Sequence, residues 1–313
     1  MKRSGAIVSL AAMSAAAATP RAVRAQTKDK LAVGFPILDP TSEVLYASDR
    51  GFFDKAGLDV ALNPLTNGAA ITAAVASGTL DIGLGNALTV ISAFKKGIPL
   101  TVVAPGAVNV DSAPSNVLLV AKSSPLKTAA DLNGKIIGVS PLRAIGDIAT
   151  SAWIDKNGGD SSTVHFIEVP FPQAAAVVTQ GRADAAFCSE PFITQAKSTT
   201  RVFANPFTVL GDGFLVTAFF ALSPWAQAHA DLVARFAAVI RMTADWANKN
   251  PDLSAEILAK YSKMDVAVVK ETIRSRFATV LSPAQFQPTI DAAAKYKLLD
   301  SPFPATQLIF PGK

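Results

Sequence analysis

The chain has 313 residues, a formal net charge of +5, half of its residues apolar, a single Cys and two His. That length and apolar share support large buried cores and two domains. The composition excludes an internal disulfide, and His165 and His229 are too few and too scattered for a metal cluster; no later apolar run reaches the ~20 residues of a membrane span.

Lys2 and Arg3 precede an apolar run from Ala6 to Ala18, and Val23-Arg24-Ala25 offers small residues before Gln26. This pattern predicts a secretory leader over residues 1–25 and an exported protein. No Cys near the cleavage point could carry a lipid. Lys2, Arg3, Arg21 and Arg24 all lie in the leader, so most of the positive charge leaves with it, and no basic face remains for nucleic acid.

Leu31 to Phe35 reads as a strand ended by Pro36, and Asp39-Pro40-Thr41 can start a helix running toward Gly51. Asp59 to Leu65 is a second strand, Asn67-Gly68 a turn, and Ala69 to Ser77 an alanine-rich helix stopped by Gly78. Asp81 to Gly85 is a short strand, Thr89 to Lys96 a helix, and Leu100 to Ala104 a buried strand. Alternation of this kind writes a mostly parallel sheet covered by helices. The pattern then recurs. Gly138 follows Gly34 by 104 residues, Trp153 to Gly158 echoes Phe52 to Gly57 at 101, and Gly181 and Asp184 follow Gly78 and Asp81 at 103. A period of this length is too long for a solenoid unit and predicts two similar lobes.

Asn116 to Ala121 and Phe214 to Leu222 are apolar runs suited to carrying the chain from one lobe to the other and back. From Pro224 an amphipathic helix presents Leu232, Phe236, Val239, Ile240 and Trp246 on one face, and further helices fit Asp252 to Ser262, Asp265 to Arg274 and Pro283 to Leu298. These read as a helical cap on one lobe. The expected domains are 26–120 with 212–313 for the first lobe and 121–211 for the second.

Ser48-Asp49-Arg50-Gly51-Phe52-Phe53 with Gly57-Leu58-Asp59-Val60, Ser77-Gly78-Thr79-Leu80-Asp81-Ile82-Gly83, Ala129-Ala130-Asp131-Leu132-Asn133-Gly134-Lys135 and Ser189-Glu190-Pro191 occur in order along the chain. In sequence and spacing they resemble the type II periplasmic solute-binding proteins of the SsuA/THI5-like, or NMT1-like, family, which serves sulfonates, taurine, nitrate and thiamine precursors. The resemblance implies an α/β fold of two lobes, each a mostly parallel sheet flanked by helices, joined by two crossing strands. It also implies a monomer in the periplasm that closes on a small solute and delivers it to an ABC permease with its cytoplasmic ATPase. No cofactor or metal is expected.

Ligands of parallel sheets sit beyond the carboxyl ends of the strands, at helix N-termini. The strand-to-helix turns therefore nominate Phe35, Leu38, Asp39, Asn67, Gly68, Asn86, Ala87, Leu142, Arg143, Ala144, Ile145, Phe171 and Glu190 as ligand-binding residues. Arg143 could offer a fork of donors to a carboxylate or sulfonate, or be an exposed surface residue. Asn86 could donate and accept, or simply turn the chain. Glu190 and Asp39 could meet an amine or ring nitrogen, or cap helices locally. Phe35, Leu38, Leu142, Ile145, Phe171 and Phe192 suit apolar walls. Ser140-Pro141-Leu142-Arg143 departs from the Gly-Ser or Gly-Thr opening common in the family, and Pro141 lacks an N–H for an anion. Asp81 and Asp184 read as structural turn residues. A signalling role and a THI5-like enzyme are the alternatives, but the latter relies on a Cys-rich iron-binding stretch that Cys188 alone does not rebuild.

Overall fold

In the computed structural model, residues 28–66 and 68–312 are described; the leader expected over residues 1–25 and Asn67 lie outside them. The chain opens with β1 (Asp29–Phe35), α1 (Glu43–Asp49), α2 (Phe52–Lys55), β2 (Leu58–Pro64), α3 (Gly68–Ala76), β3 (Ile82–Asn86), α4 (Ala87–Lys95), β4 (Leu100–Pro105) and β5 (Ala107–Val108). It continues through β6 (Asn116–Ala121), β7 (Ile136–Val139), α5 (Ile145–Lys156), β8 (His165–Glu168), α6 (Ala174–Thr179), β9 (Ala185–Ser189), α7 (Phe192–Gln195), β10 (Thr200–Ala204) and β11 (Thr217–Leu222). It closes with α8 (Ser223–Ala228), α9 (Ala230–Lys249), α10 (Pro251–Ser262), α11 (Val266–Lys270), β12 (Arg276–Phe277) and α12 (Gln287–Lys295).

Two five-stranded sheets result, ordered β2-β1-β3-β11-β4 and β8-β7-β9-β6-β10. In each, the first three strands are parallel and the fourth, a crossing strand, runs antiparallel to its neighbours. The central strands are buried on both faces, which is why they read as continuous apolar runs.

The doubling extends to single hydrogen bonds. Ala32 donates to the Asp81 carboxylate at 2.7 Å while Asp81 donates back to the Ala32 carbonyl at 3.0 Å. Ile136 and Asp184 repeat the pair at 2.9 and 2.8 Å. Both acids thus fasten the chain entering the third strand of a sheet onto the first, the structural role expected of them. The helix stops correspond as well: Gly78 and Gly181 have φ of 75° and 67°, a left-handed conformation that costs Gly little. Gly34 and Gly138 are glycine because a Cβ there would lie 2.3 Å from Leu80 and 2.9 Å from Val169.

β6 is hydrogen-bonded into the second sheet from Asn116 onward, so the chain changes sheet before Asn116. Three expectations change. The helix expected from Pro224 to the Asn248 region is two, α8 and α9, separated at His229, and the one expected over Asp265 to Arg274 stops at Lys270 so that Arg276–Phe277 can pair with β5. The cap does not sit on one sheet alone. Alpha-helices α9 and α10 cover the first, with Val233, Phe236, Val239 and Ile240 in its core, whereas α12 packs against both α4 and α5.

The two aspartate clamps should behave as equals. Asp81→Ala and Asp184→Ala are each expected to destabilise the fold by about 1–2 kcal/mol, as for a lost hydrogen bond to a charged group. Urea unfolding of the two single variants measures this.

Candidate functional site

The carboxyl ends of β1, β2 and β3 face those of β7, β8 and β9 across a cavity of about 440 Å³. One wall carries Pro36, Leu38, Thr41, Pro64, Leu65, Thr66, Gly68 and Asn86; the other carries Ser140, Pro141, Ile145, Pro170, Phe171, Phe187, Ser189 and Phe192. Both crossing strands begin on this cavity. Asn116 starts β6 and is paired in register with Ser189, the last residue of β9, while Thr217 starts β11 and is paired with Asn86, the last residue of β3. The four residues form two matching polar pairs at the base of the cleft.

Several of these polar groups are already engaged. Asn86 Oδ1 accepts from Leu88 N at 2.9 Å and caps α4, which leaves its Nδ2 to donate. Asn116 Nδ2 donates to Ser115 at 3.2 Å, which leaves its Oδ1 to accept. Thr217 donates to the Pro40 carbonyl at 2.9 Å and accepts from Ala107 N at 2.8 Å, so it positions the Pro40 turn.

Of the residues nominated from sequence, Leu38, Gly68, Asn86, Ile145 and Phe171 are in the wall; Asn67 lies outside the described residues. The others are elsewhere. Phe35 shares the inward parity of Leu31 and Val33 on β1, so its ring joins their core and Pro36, next in line, takes the cleft position. Ala87 and Ala144 are buried behind the wall at the starts of α4 and α5. Leu142 and Arg143 are exposed and off the wall. The reason is Asp147, whose buried carboxylate accepts from the Arg143 and Ala144 N–H groups at 2.7 and 2.8 Å and pins the loop to α5, with Arg143 at φ 58°. Burial raises the Asp147 pKa, and those same donors hold it back.

Asp39 and Glu190 lie beneath the wall in one buried network. The Asp39 carboxylate is fully buried, 2.6 Å from the Arg274 guanidinium, and accepts from Ser275 N. Arg274 also donates to the Tyr46 hydroxyl and, at 3.2 Å, to Ser254. Burial works against the charge on Arg274, yet the facing Asp39 and Tyr46 raise its pKa on balance. Glu190 accepts from Thr194 N at 3.0 Å, Thr194 Oγ1 at 2.9 Å and Ile273 N at 3.4 Å. Burial raises its pKa, and the Thr194 donors lower it in part. The Asp39 N–H donates to the Glu190 carbonyl at 3.3 Å, joining the two halves. Residues 272–276 therefore form a strap behind the cleft, with which the Asp39 and Glu190 carboxylates are engaged.

Beyond the nominated residues the wall carries the polar Thr41, Thr66, Asn116, Ser140, Ser189 and Thr217, of which Thr41, Ser140 and Ser189 lie on the expected strand-to-helix turns and the other three do not. A signal was present for some. Asn116 and Thr217 are the polar first residues of the two crossing runs, and a Pro closes or follows each of β1, β2, β7 and β8, namely Pro36, Pro64, Pro141 and Pro170.

A family model described as NMT1/THI5 like matches residues 41–254. A relative from Brucella abortus (strain 2308), named only as a binding protein, is 29% identical over 233 residues, 72% of this chain and 69% of that one. Among solved structures, the periplasmic aliphatic sulphonate binding protein SsuA of Escherichia coli matches with a TM-score of 0.74 at 19% identity, over 91% of this chain and 93% of that one. The periplasmic nitrate-binding protein NrtA of Synechocystis PCC 6803 matches with a TM-score of 0.76 at 14% identity, over 89% and 84%. At these identities the likeness shows the fold.

Removing one member of the Asp39–Arg274 pair strands the other. Arg274→Met is expected to cost about 3–5 kcal/mol in urea unfolding, and the double variant Asp39→Asn with Arg274→Met clearly less, because no buried charge is then left alone.

A pH dependence follows from Glu43, whose buried carboxylate has no hydrogen-bond partner on either oxygen, so that burial raises its pKa well above 4.5. Below about pH 4.5 folded and unfolded chains both hold the proton and the stability is full. As pH rises only the unfolded chain releases it, and stability falls at up to about 1.4 kcal/mol per pH unit until the folded group ionises too. The raised pKa values of Asp147 and Glu190 act in the same direction. Glu43→Gln should flatten this slope in unfolding curves recorded from pH 4 to 8.

Proposed function

The chain belongs to the NMT1/THI5-like family, and from that premise we propose that it is the exported, periplasmic solute-binding component of an ABC importer. The observation that carries this reading is the cavity of about 440 Å³ built from matching strand-to-helix turns of both halves. Its volume falls in the range of small-molecule sites, ~300–1,000 Å³. The halves exchange chain only through the connections leading into β6 and β11, both of which begin at the cavity. A solute touching both walls makes contacts that exist in full only when the halves are together, and so shifts the population toward the closed form. That form is the one a membrane permease and its ATPase unload.

We assign the first lobe to the β2-β1-β3-β11-β4 sheet with α9 and α10, and the second to the β8-β7-β9-β6-β10 sheet. Capture without chemistry is supported by the Brucella relative matched over 72% of this chain, which is a binding protein by name, and by Cys188. That thiol is buried in β9 and burial pushes its pKa up, which keeps it from acting as a nucleophile.

A ligand that binds only the folded protein raises its melting temperature, so a thermal-shift screen of sulfonates, carboxylates, nitrate and pyrimidines identifies a solute. With that solute at saturation, small-angle scattering should show the radius of gyration fall. An unchanged radius would remove closure from the mechanism.

A further inference from the structure

We propose that the solute is uncharged, with a flat apolar body and a carboxamide-type edge that both donates and accepts hydrogen bonds. This rests on the binding reading above and narrows its substrate class.

Three observations carry it. Among the described residues, no side chain in the cavity wall is charged. The charged groups on the surrounding turns are spent on the protein: Asp39 on Arg274, Glu190 on Thr194 and the strap, Asp147 on the N–H groups at the start of α5. Arg143 is exposed and off the wall.

Second, prolines remove several of the backbone donors that an anion would use. Strand-to-helix turns bind anions through unpaired N–H groups. Here Pro36, Pro64, Pro141 and Pro170, which close or follow the β1, β2, β7 and β8 strands, have no N–H to offer. At α5 the Asp147 carboxylate takes up the Arg143 and Ala144 N–H groups. An anionic solute would therefore lose its hydration without a charged partner, the costly case for burial.

Third, what remains is complementary to a neutral amide. Asn86 Nδ2 donates and Asn116 Oδ1 accepts, one from each side of the cleft base. The rings of Phe171 and Phe187, 6.5 Å apart by centroids, are on one wall and Pro36 and Pro64 on the other, apolar surfaces suited to a flat apolar body.

Isothermal titration of the mature chain with matched pairs of near-equal shape tests this: nicotinamide against nicotinate, benzamide against benzoate, and benzenesulfonamide against benzenesulfonate, with nitrate and taurine as small charged probes. The neutral member should bind at least about tenfold tighter in a pair, with an affinity insensitive to salt. Asn86→Asp keeps the α4 cap, since Asp caps as well as Asn, but replaces the donor. It should leave the melting temperature of the free protein unchanged and abolish amide binding, while Arg143→Ala should leave amide binding intact. Tighter, salt-sensitive binding of the anions would overturn the charge assignment and leave the binding reading standing. If no pair member binds, the small molecules released on denaturing protein purified from the periplasm decide. A charged molecule there overturns the inference alone, a neutral amide supports it, and no released molecule overturns the binding reading and the inference with it.

Discussion

Parallel strands that share a sheet end on the same edge, and everything distinctive about this molecule follows from having two such edges meet. A helix starting after each strand leaves its first N–H groups unpaired and its positive end at that edge. The meeting place is thus a natural site for negative charge. In this chain the wall at that edge carries no charged side chain among the described residues, prolines stand at or just after four strand ends, Asn86 caps α4 and Asp147 accepts from the two N–H groups before α5. The scaffold and its electrostatic character are separable, and a few residues at the turns decide the second.

Behind the cleft the constraint is of another kind. The turn bearing Leu38 and Thr41 is held from below by Arg274 and Ser275, which lie more than two hundred residues later in the chain. The first sheet also takes β11 between β3 and β4, and Val102 at its edge bonds to Leu308 and Phe310. The first half is therefore complete only when the C-terminal residues arrive, whereas the second is one continuous stretch of chain from β6 to β10. Two copies of one pattern differ in how much of the polypeptide each needs.

Much of the fold was legible in the sequence because its signals are local. Gly78 and Gly181 stop equivalent helices, Asp81 and Asp184 open equivalent strands, and the crossing runs are unbroken apolar stretches. The turns of the site were legible for the same reason. Which side chain of a turn enters the cleft was not, since at a strand end that depends on parity: Phe35 goes to the core and Pro36 to the cavity. Nor were charge assignments legible. Asp39 and Arg274 have no pattern in common along the chain, and nothing in the sequence around Arg143 decides between a ligand donor and an exposed residue until Asp147, four residues on, is found to hold its loop. The cap was misplaced because the apolar face of α12 does not reveal that it is shared by α4 and α5.

The two polar pairs at the cleft base have a mechanical meaning as well as a chemical one. Asn116 and Thr217 are the first residues of the strands that join the halves, and each is locked in register to the end of a neighbouring strand, at Ser189 and Asn86. Under the closure proposed above, a molecule touching these residues acts where the chain passes between the halves, while one touching Leu38 and Phe192 acts on the strand-to-helix turns. Solutes that differ in which of the two they reach would then differ in how far the halves travel.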